Sequence, residues 1–264
     1  MFSVLKQKGG SMAKVIAVAN QKGGVGKTTT AINTAASLAA ADRRVLLVDI
    51  DPQGNSTSGV GIDRGALEGS IYQLFTGESP LKDLIVGCGL KNLSVVPSTV
   101  DLFGSEIELA GRGGRETILK DALSGISEAF DYVILDCPPA LGLLTINALT
   151  AADSVLIPVQ CEYYALEGLT QLLKTLELVR ASLNPELGIE GILLTMHDNR
   201  NNLSRQVEQE VRSHFGEKVY TTTIPRNVSL SEAPSHGKPI IMYDIRSRGA
   251  QSYLSLAREV LSHV

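Results

Sequence analysis

The chain has 264 residues, 44% of them hydrophobic, enough for one sizeable core. A formal net charge of −4 excludes a basic field over the whole molecule, so any DNA binding has to come from a local patch or from oligomerisation. Three widely spaced cysteines, Cys88, Cys137 and Cys161, with no C-x-x-C, exclude a disulfide frame or zinc site and read as buried thiols.

Residues 1–11 read as a disordered extension, because Met12-Ala13-Lys14 makes a natural start ahead of the first strand-like run. Within them Gln7-Lys8-Gly9-Gly10 echoes a later motif but has neither a strand before it nor a helix after it, and is assigned no phosphate role. No signal-peptide core precedes the first strand and no apolar run reaches transmembrane length, so a cytoplasmic protein is expected. No repeat or low-complexity linker interrupts 12–264, which reads as a single domain.

The first predicted strand, 15–20, runs into Gln21-Lys22-Gly23-Gly24-Val25-Gly26-Lys27-Thr28-Thr29-Thr30, and a predicted helix follows over 28–40. Strand, glycine loop and helix in that order make a P-loop. Its glycines let backbone N–H groups converge on an anion, and the helix N-terminus adds a favourable dipole. Lys27 is expected to reach the β- and γ-phosphates of ATP, and the Thr28 hydroxyl to ligate Mg²⁺. Gln21 stands where the first glycine of the general motif belongs, and Lys22 adds a second cation that needs an anion of its own.

The second strand, 44–50, ends in Asp49-Ile50-Asp51-Pro52-Gln53-Gly54-Asn55. Asp49 and Asp51 lie on one face of an extended chain. Behind a P-loop, Asp51 suits a Mg²⁺ shell or the orientation of an attacking water, while an Asp-Pro pair elsewhere simply starts a turn. A strand over 93–97 and a helix over 117–129 lead to the strand 132–136, whose apolar run ends in Asp136 before Cys137-Pro138-Pro139. That is a Walker B pattern, with Asp136 serving Mg²⁺. Helices over 143–151, 165–183, 204–215 and 250–261 then alternate with strands over 154–159, 191–195 and 219–224. The expected fold is α/β: a mostly parallel twisted sheet with helices on both faces, of the P-loop NTPase type. Ligands of such sheets lie beyond the carboxyl ends of the strands, where Gln21, Asp49, Asp51 and Asp136 all fall.

The lysine-rich P-loop, the D-I-D-P-Q-G-N segment and the L-D-C-P-P segment resemble the deviant-Walker-A ATPases. The blocks 142–149, 158–168 and 224–227 are similar to the ParA/Soj chromosome and plasmid partitioning ATPases, and the likeness runs from Lys14 to the C-terminus. The resemblance implies an ATP-sandwich homodimer in which Lys22 reaches the phosphates bound by the other subunit. It implies that Asp51 positions the hydrolytic water, that Pro225 and Asn227 lie beside the adenine, and that Gly23, Gly24, Val25, Gly26 and Thr29 complete the nucleotide cradle. It further implies slow ATP hydrolysis, non-specific DNA binding by the ATP-bound dimer, nucleoid association and stimulation by a ParB/Spo0J-type centromere-binding protein.

Between Met196 and Arg248 the charges sum to +2, a mild excess that two-fold symmetry would double. The resemblance assigns Arg200 to DNA, with Arg246 and Arg248 as neighbours, whereas Ser229 stands where many relatives carry a further arginine. The alternative is a MinD-like membrane-recruited ATPase, which wants a basic amphipathic C-terminal helix. The tail offers Leu254, Ala257, Val260, Leu261 and Val264 at helical spacing but few cations, and reads as a helix docked on the core, with no membrane partner expected. A redox ATPase would need a second cysteine near Cys137 to bridge a cluster. A synthetase or kinase stays open, because a P-loop does not name the phosphate acceptor.

Overall fold

A computed structural model describes residues 12–162 and 165–262. The proposed extension over 1–11, with Tyr163, Tyr164, His263 and Val264, lies outside the described residues. The strands are β1 (Lys14–Val18), β2 (Val45–Asp49), β3 (Val86–Gly87), β4 (Leu93–Val96), β5 (Tyr132–Asp136), β6 (Ser154–Gln160) and β7 (Gly188–Thr195). They form one sheet in the order β3-β4-β2-β5-β1-β6-β7, antiparallel at β3 and parallel elsewhere. The α-helices are α1 (Lys27–Ala40), α2 (Asn55–Gly59), α3 (Ile71–Thr76), α4 (Leu102–Glu108), α5 (Ile118–Ser124) and α6 (Leu143–Ala151). They continue as α7 (Ala165–Ser182), α8 (Asn202–Phe215), α9 (Val228–Glu232), α10 (Ile240–Tyr243) and α11 (Arg248–Ser262).

The central strands are buried on both faces, and their period-two geometry deals alternate residues to two cores. Val15, Ala17, Leu46, Val48, Val133 and Leu135 face one core, with side chains of α3, α5, α6 and α7. Ile16, Val18, Val45, Leu47, Tyr132 and Ile134 face the other, with α1 and α11. This is the expected doubly covered α/β sheet. Its register aligns Val18 with Asp136 and Asp49 with Asp136, so the tips of β1, β5 and β2 end in one row. The P-loop and both acidic segments leave from that row.

Several expected elements differ. The predicted strand 219–224 reduces to two isolated bridges, Ile192 to Val219 and His197 to Pro225. Tyr220 N and Ile224 N still donate to β7, whereas the amides of Thr221 and Thr222 donate to the Glu259 carboxylate on α11, at 2.8 Å each. The edge strand β3 was not expected, being two residues long. The predicted helix 117–129 is broken at Gly125, which closes α5 before a separate 3₁₀ turn, Ser127–Ala129. Helix α3 was also not expected, although Ser70 and Gln73 form a capping box at its start. Cys137 and Cys161 are buried as expected, whereas Cys88 is only half-buried.

The C-terminal helix docks on the core through Tyr253, Leu256, Ala257 and Val260 rather than through Leu254, which is half-buried. Tyr253 Oη stands 3.2 Å from Thr30 Oγ1, tying α11 to α1. No helix among the described residues is long and apolar enough to cross a membrane.

Candidate active site

The loop after β1 is shaped by Gly24 at φ 75° and Gly26 at φ 88°, left-handed conformations that side chains resist. A Cβ built on Gly23, Gly24 or Gly26 would meet nothing within 4 Å, so the concave side of the loop is open. Helix α1 has Gly26 as its N-cap, with no side-chain cap and no acid in its first turn, leaving its leading N–H groups to an incoming anion. The loop is pinned from behind. Asn20 Nδ2 donates to Pro158 O at 2.7 Å while Asn20 Oδ1 accepts from Lys22 N at 3.0 Å. Thr195 Oγ1 at the tip of β7 donates to Val25 O at 2.9 Å.

Lys27 folds back across this cradle, and its Nζ donates to Lys22 O at 3.1 Å. Burial lowers its pKa, and the charges of Asp136 and Asp51 offset part of that effect. A desolvated lysine facing carboxylates favours a polyanion with a cation between them.

Asp136 is fully buried, its Oδ2 accepting from Ser56 Oγ at 2.7 Å. Its second oxygen, Oδ1, is buried without a hydrogen-bond partner among the described residues. An orphaned carboxylate oxygen costs about 1–3 kcal/mol, and here it sits beside the Thr28 hydroxyl that a P-loop offers to Mg²⁺. The donor set fits a hard divalent cation. Asp49, level with it on β2, is held by Thr57 N at 2.8 Å, Thr57 Oγ1 at 2.7 Å and Asp51 N at 3.2 Å. Burial first, and the charge of Asp136 second, push Asp49 up to about 8. Burial also raises Asp136, to about 6, against the hydrogen bonds of Ser56 and Thr28.

Asp51 does make the turn that an Asp-Pro pair predicts. Its Oδ1 accepts from Gln53 N and its carbonyl from Gly54 N, both at 2.9 Å. Gly54 is left-handed, and a Cβ there would stand 2.8 Å from Ser98 O. The turn carries the carboxylate into the site, where its charge acts on Lys27 and Asp136. Turn and site are the same structure.

Lys22 has a carboxylate partner of its own. Its Nζ pairs with Glu162 Oε2 at 3.0 Å, just past the end of β6.

A cleft of about 670 Å³ opens nearby, lined in part by Pro225, Arg226, Arg200, Arg246 and Arg248. The three arginines expected from sequence are thus brought together, and Arg226, which was not among them, joins them. Arg200 is highly exposed and pairs with Asp198 at 3.2 Å. Asn227 caps α9, its Oδ1 accepting from Leu230 N at 3.2 Å. Ser229 Oγ stands 3.5 Å from Asp244 Oδ2, so an arginine at 229 would lie beside a carboxylate.

Sequence reading missed Asp49 as anchor of the 51–57 turn, Ser56 as partner of Asp136, Thr195 as brace of the P-loop, and Glu162. Ser56 and Thr57 close the Gly54-Asn55-Ser56-Thr57 run, which was the available signal; Glu162, 140 residues from Lys22, had none.

An open glycine cradle on a helix N-terminus, with acids at two neighbouring strand tips, defines the class as a P-loop nucleoside triphosphatase. A family model described as AAA domain matches residues 13–189. The chain is 60% identical over 252 residues to the sporulation initiation inhibitor protein Soj of Bacillus subtilis, covering 96% of this chain and all of that one. It is 57% identical to the chromosome partitioning protein ParA of Myxococcus xanthus, covering 95% of this chain and 89% of that one. A solved structure of cobyrinic acid a,c-diamide synthase from Mycobacterium smegmatis, with bound ADP and magnesium, superposes with a TM-score of 0.84 at 40% identity. That match covers 96% of this chain and 95% of the other. The chain belongs to the ParA/Soj family of chromosome-partitioning ATPases.

Proposed function

We propose that this ATPase is a nucleotide-switched DNA-partitioning protein, active as an ATP-sandwich dimer. It binds ATP with Mg²⁺, pairs with a second copy, holds duplex DNA without sequence preference and hydrolyses ATP slowly to ADP and phosphate. A ParB/Spo0J-type centromere-binding protein stimulates hydrolysis and releases the complex, which is nucleoid-associated while ATP is bound. One observation carries the reading: Lys27 lies across its own cradle while Lys22 points away from it, paired at 3.0 Å with Glu162. A cation on the loop mouth that does not serve its own loop is free to serve a partner's.

The residues divide the work. The backbone of Gly23, Gly24, Val25, Gly26 and Thr29 cradles the phosphates, Lys27 neutralises the β- and γ-oxygens, and Lys22 does so in trans. Thr28, Asp51 and Asp136 would hold Mg²⁺. The ion would neutralise charge on the terminal phosphates. Asp51 orients the attacking water, fixed in place by the Gln53 amide. Pro225 and Asn227 border the adenine, and Arg200, Arg246 and Arg248 meet DNA phosphates. The region 12–264 works as a single domain.

The membrane alternative wants an unoccupied amphipathic C-terminal helix, but the apolar face of α11 is spent against α1. A DNA-retention assay with ATP, ADP and no nucleotide decides between the readings. Retention of arbitrary duplex with ATP alone supports the proposal. Binding to anionic liposomes in its place would favour the membrane reading, and turnover that waits for a small-molecule acceptor would favour a synthase.

A further inference from the structure

Glu162 stands between the two halves of the proposed machine. Its Oε2 takes Lys22 Nζ at 3.0 Å from the P-loop side. Its Oε1 accepts from Gln160 Nε2 and lies 3.9 Å from Arg226 Nη2, on the rim of the arginine cleft. All three charged groups remain partly solvated, with side-chain exposures of 37% for Lys22, 44% for Glu162 and 63% for Arg226. One carboxylate is therefore shared by two cations, fixed in orientation by a neutral amide, with neither ion pair deeply buried.

We propose that Glu162 is a positioning residue that parks Lys22 in the monomer and passes its charge to Arg226 when Lys22 leaves for the partner's nucleotide. The inference rests on the trans role of Lys22. Exposed pairs are weak, so the parking contact holds Lys22 in a defined place without preventing its release. Breaking an ion pair ordinarily leaves a carboxylate without its counter-charge. Here Arg226 is already in place, which lowers the cost of release. Glu162 thus sets how much ATP is needed to dimerise, and Arg226 biases that threshold from the opposite side.

The test is sedimentation velocity without DNA, titrating a non-hydrolysable ATP analogue with Mg²⁺. Each protomer releases one lysine, so Glu162→Gln should tighten the dimer by the square of one exposed pair's worth, about 2- to 30-fold. A merely structural lesion would loosen it. Arg226→Gln leaves Lys22 as the sole cation on Glu162 among the described residues and should weaken dimerisation, and Glu162→Gln/Arg226→Gln should behave as Glu162→Gln alone. The ATP concentration at half-maximal turnover should move in the same directions. Unchanged or weaker dimerisation by Glu162→Gln, while Lys22→Ala stays monomeric, overturns the parking role alone. A Lys22→Ala protein that dimerises like the wild type overturns the trans role of Lys22, and this proposal with it.

Discussion

At the residue scale the site consists of charges that are costly to bury without a ligand. Lys27 and Asp136 are both nearly or fully inaccessible, and one Asp136 oxygen has no hydrogen-bond partner among the described residues. Lys27→Ala should lower ATP turnover on the order of 10²–10³-fold, read by phosphate release. Asp51→Ala should keep ATP and accumulate as a dimer on sizing; a monomer under saturating ATP would count against its assigned role. Asp49 and Asp136 also predict a pH signature. Their folded pKa values, pushed up to about 8 and about 6, exceed the unfolded carboxylate value of about 3.9. Stability from their bound protons is fully present below the unfolded value and is lost as pH rises through the folded ones. The metal-free protein should therefore lose stability between about pH 4 and 8 from this pair. Mg²⁺ with ATP favours the ionised forms, so it should raise Tm more at pH 8 than at pH 6. Equal gains at both pH values would contradict the metal assignment.

At the scale of elements, long apolar strands and long helices were legible in the sequence, because burial on both faces leaves continuous runs such as Val133-Ile134-Leu135. The acids at strand tips were legible for the same reason: parallel strands of similar length end together, and Asp49 and Asp136 stand in register. What escaped depends on contacts distant in sequence. The apolar, β-branched run at 219–224 looks like a strand, but Glu259, nearly forty residues on, takes the amides of Thr221 and Thr222. Glu259→Ala should cost about 1 kcal/mol by leaving those amides to water or to imperfect ladder bonds. Urea denaturation measures it; no change would mean that the segment is held by Tyr220 and Ile224 alone. The capping box of α3 was different. Ser70 and Gln73 were readable, and the short apolar run between them and Gly77 passed without notice.

At the scale of the whole molecule, the sheet order puts the P-loop between β5 and β6, with the acids on one side and the arginine cleft on the other. The cleft residues come from the 196–252 region, which carries little net charge; folding, not composition, concentrates Arg200, Arg226, Arg246 and Arg248. Sequence named three of the four, Arg200 through the resemblance and Arg246 and Arg248 as its neighbours. Arg200→Ala should dimerise with ATP yet bind random duplex more weakly, with the slope of log affinity against log salt reduced by about 0.9. An unchanged slope would remove Arg200 from the phosphate contacts. Ser229, beside Asp244, makes no such contribution, so this protein should show a shallower salt dependence than its Ser229→Arg variant.

The central claim is that the second lysine of the P-loop belongs to a partner's nucleotide. Analytical ultracentrifugation of wild type and Lys22→Ala with saturating ATP and Mg²⁺ tests it most directly. Both should bind ATP, with the wild type sedimenting as a dimer and Lys22→Ala remaining a monomer. A Lys22→Ala protein that binds ATP and dimerises normally would contradict it.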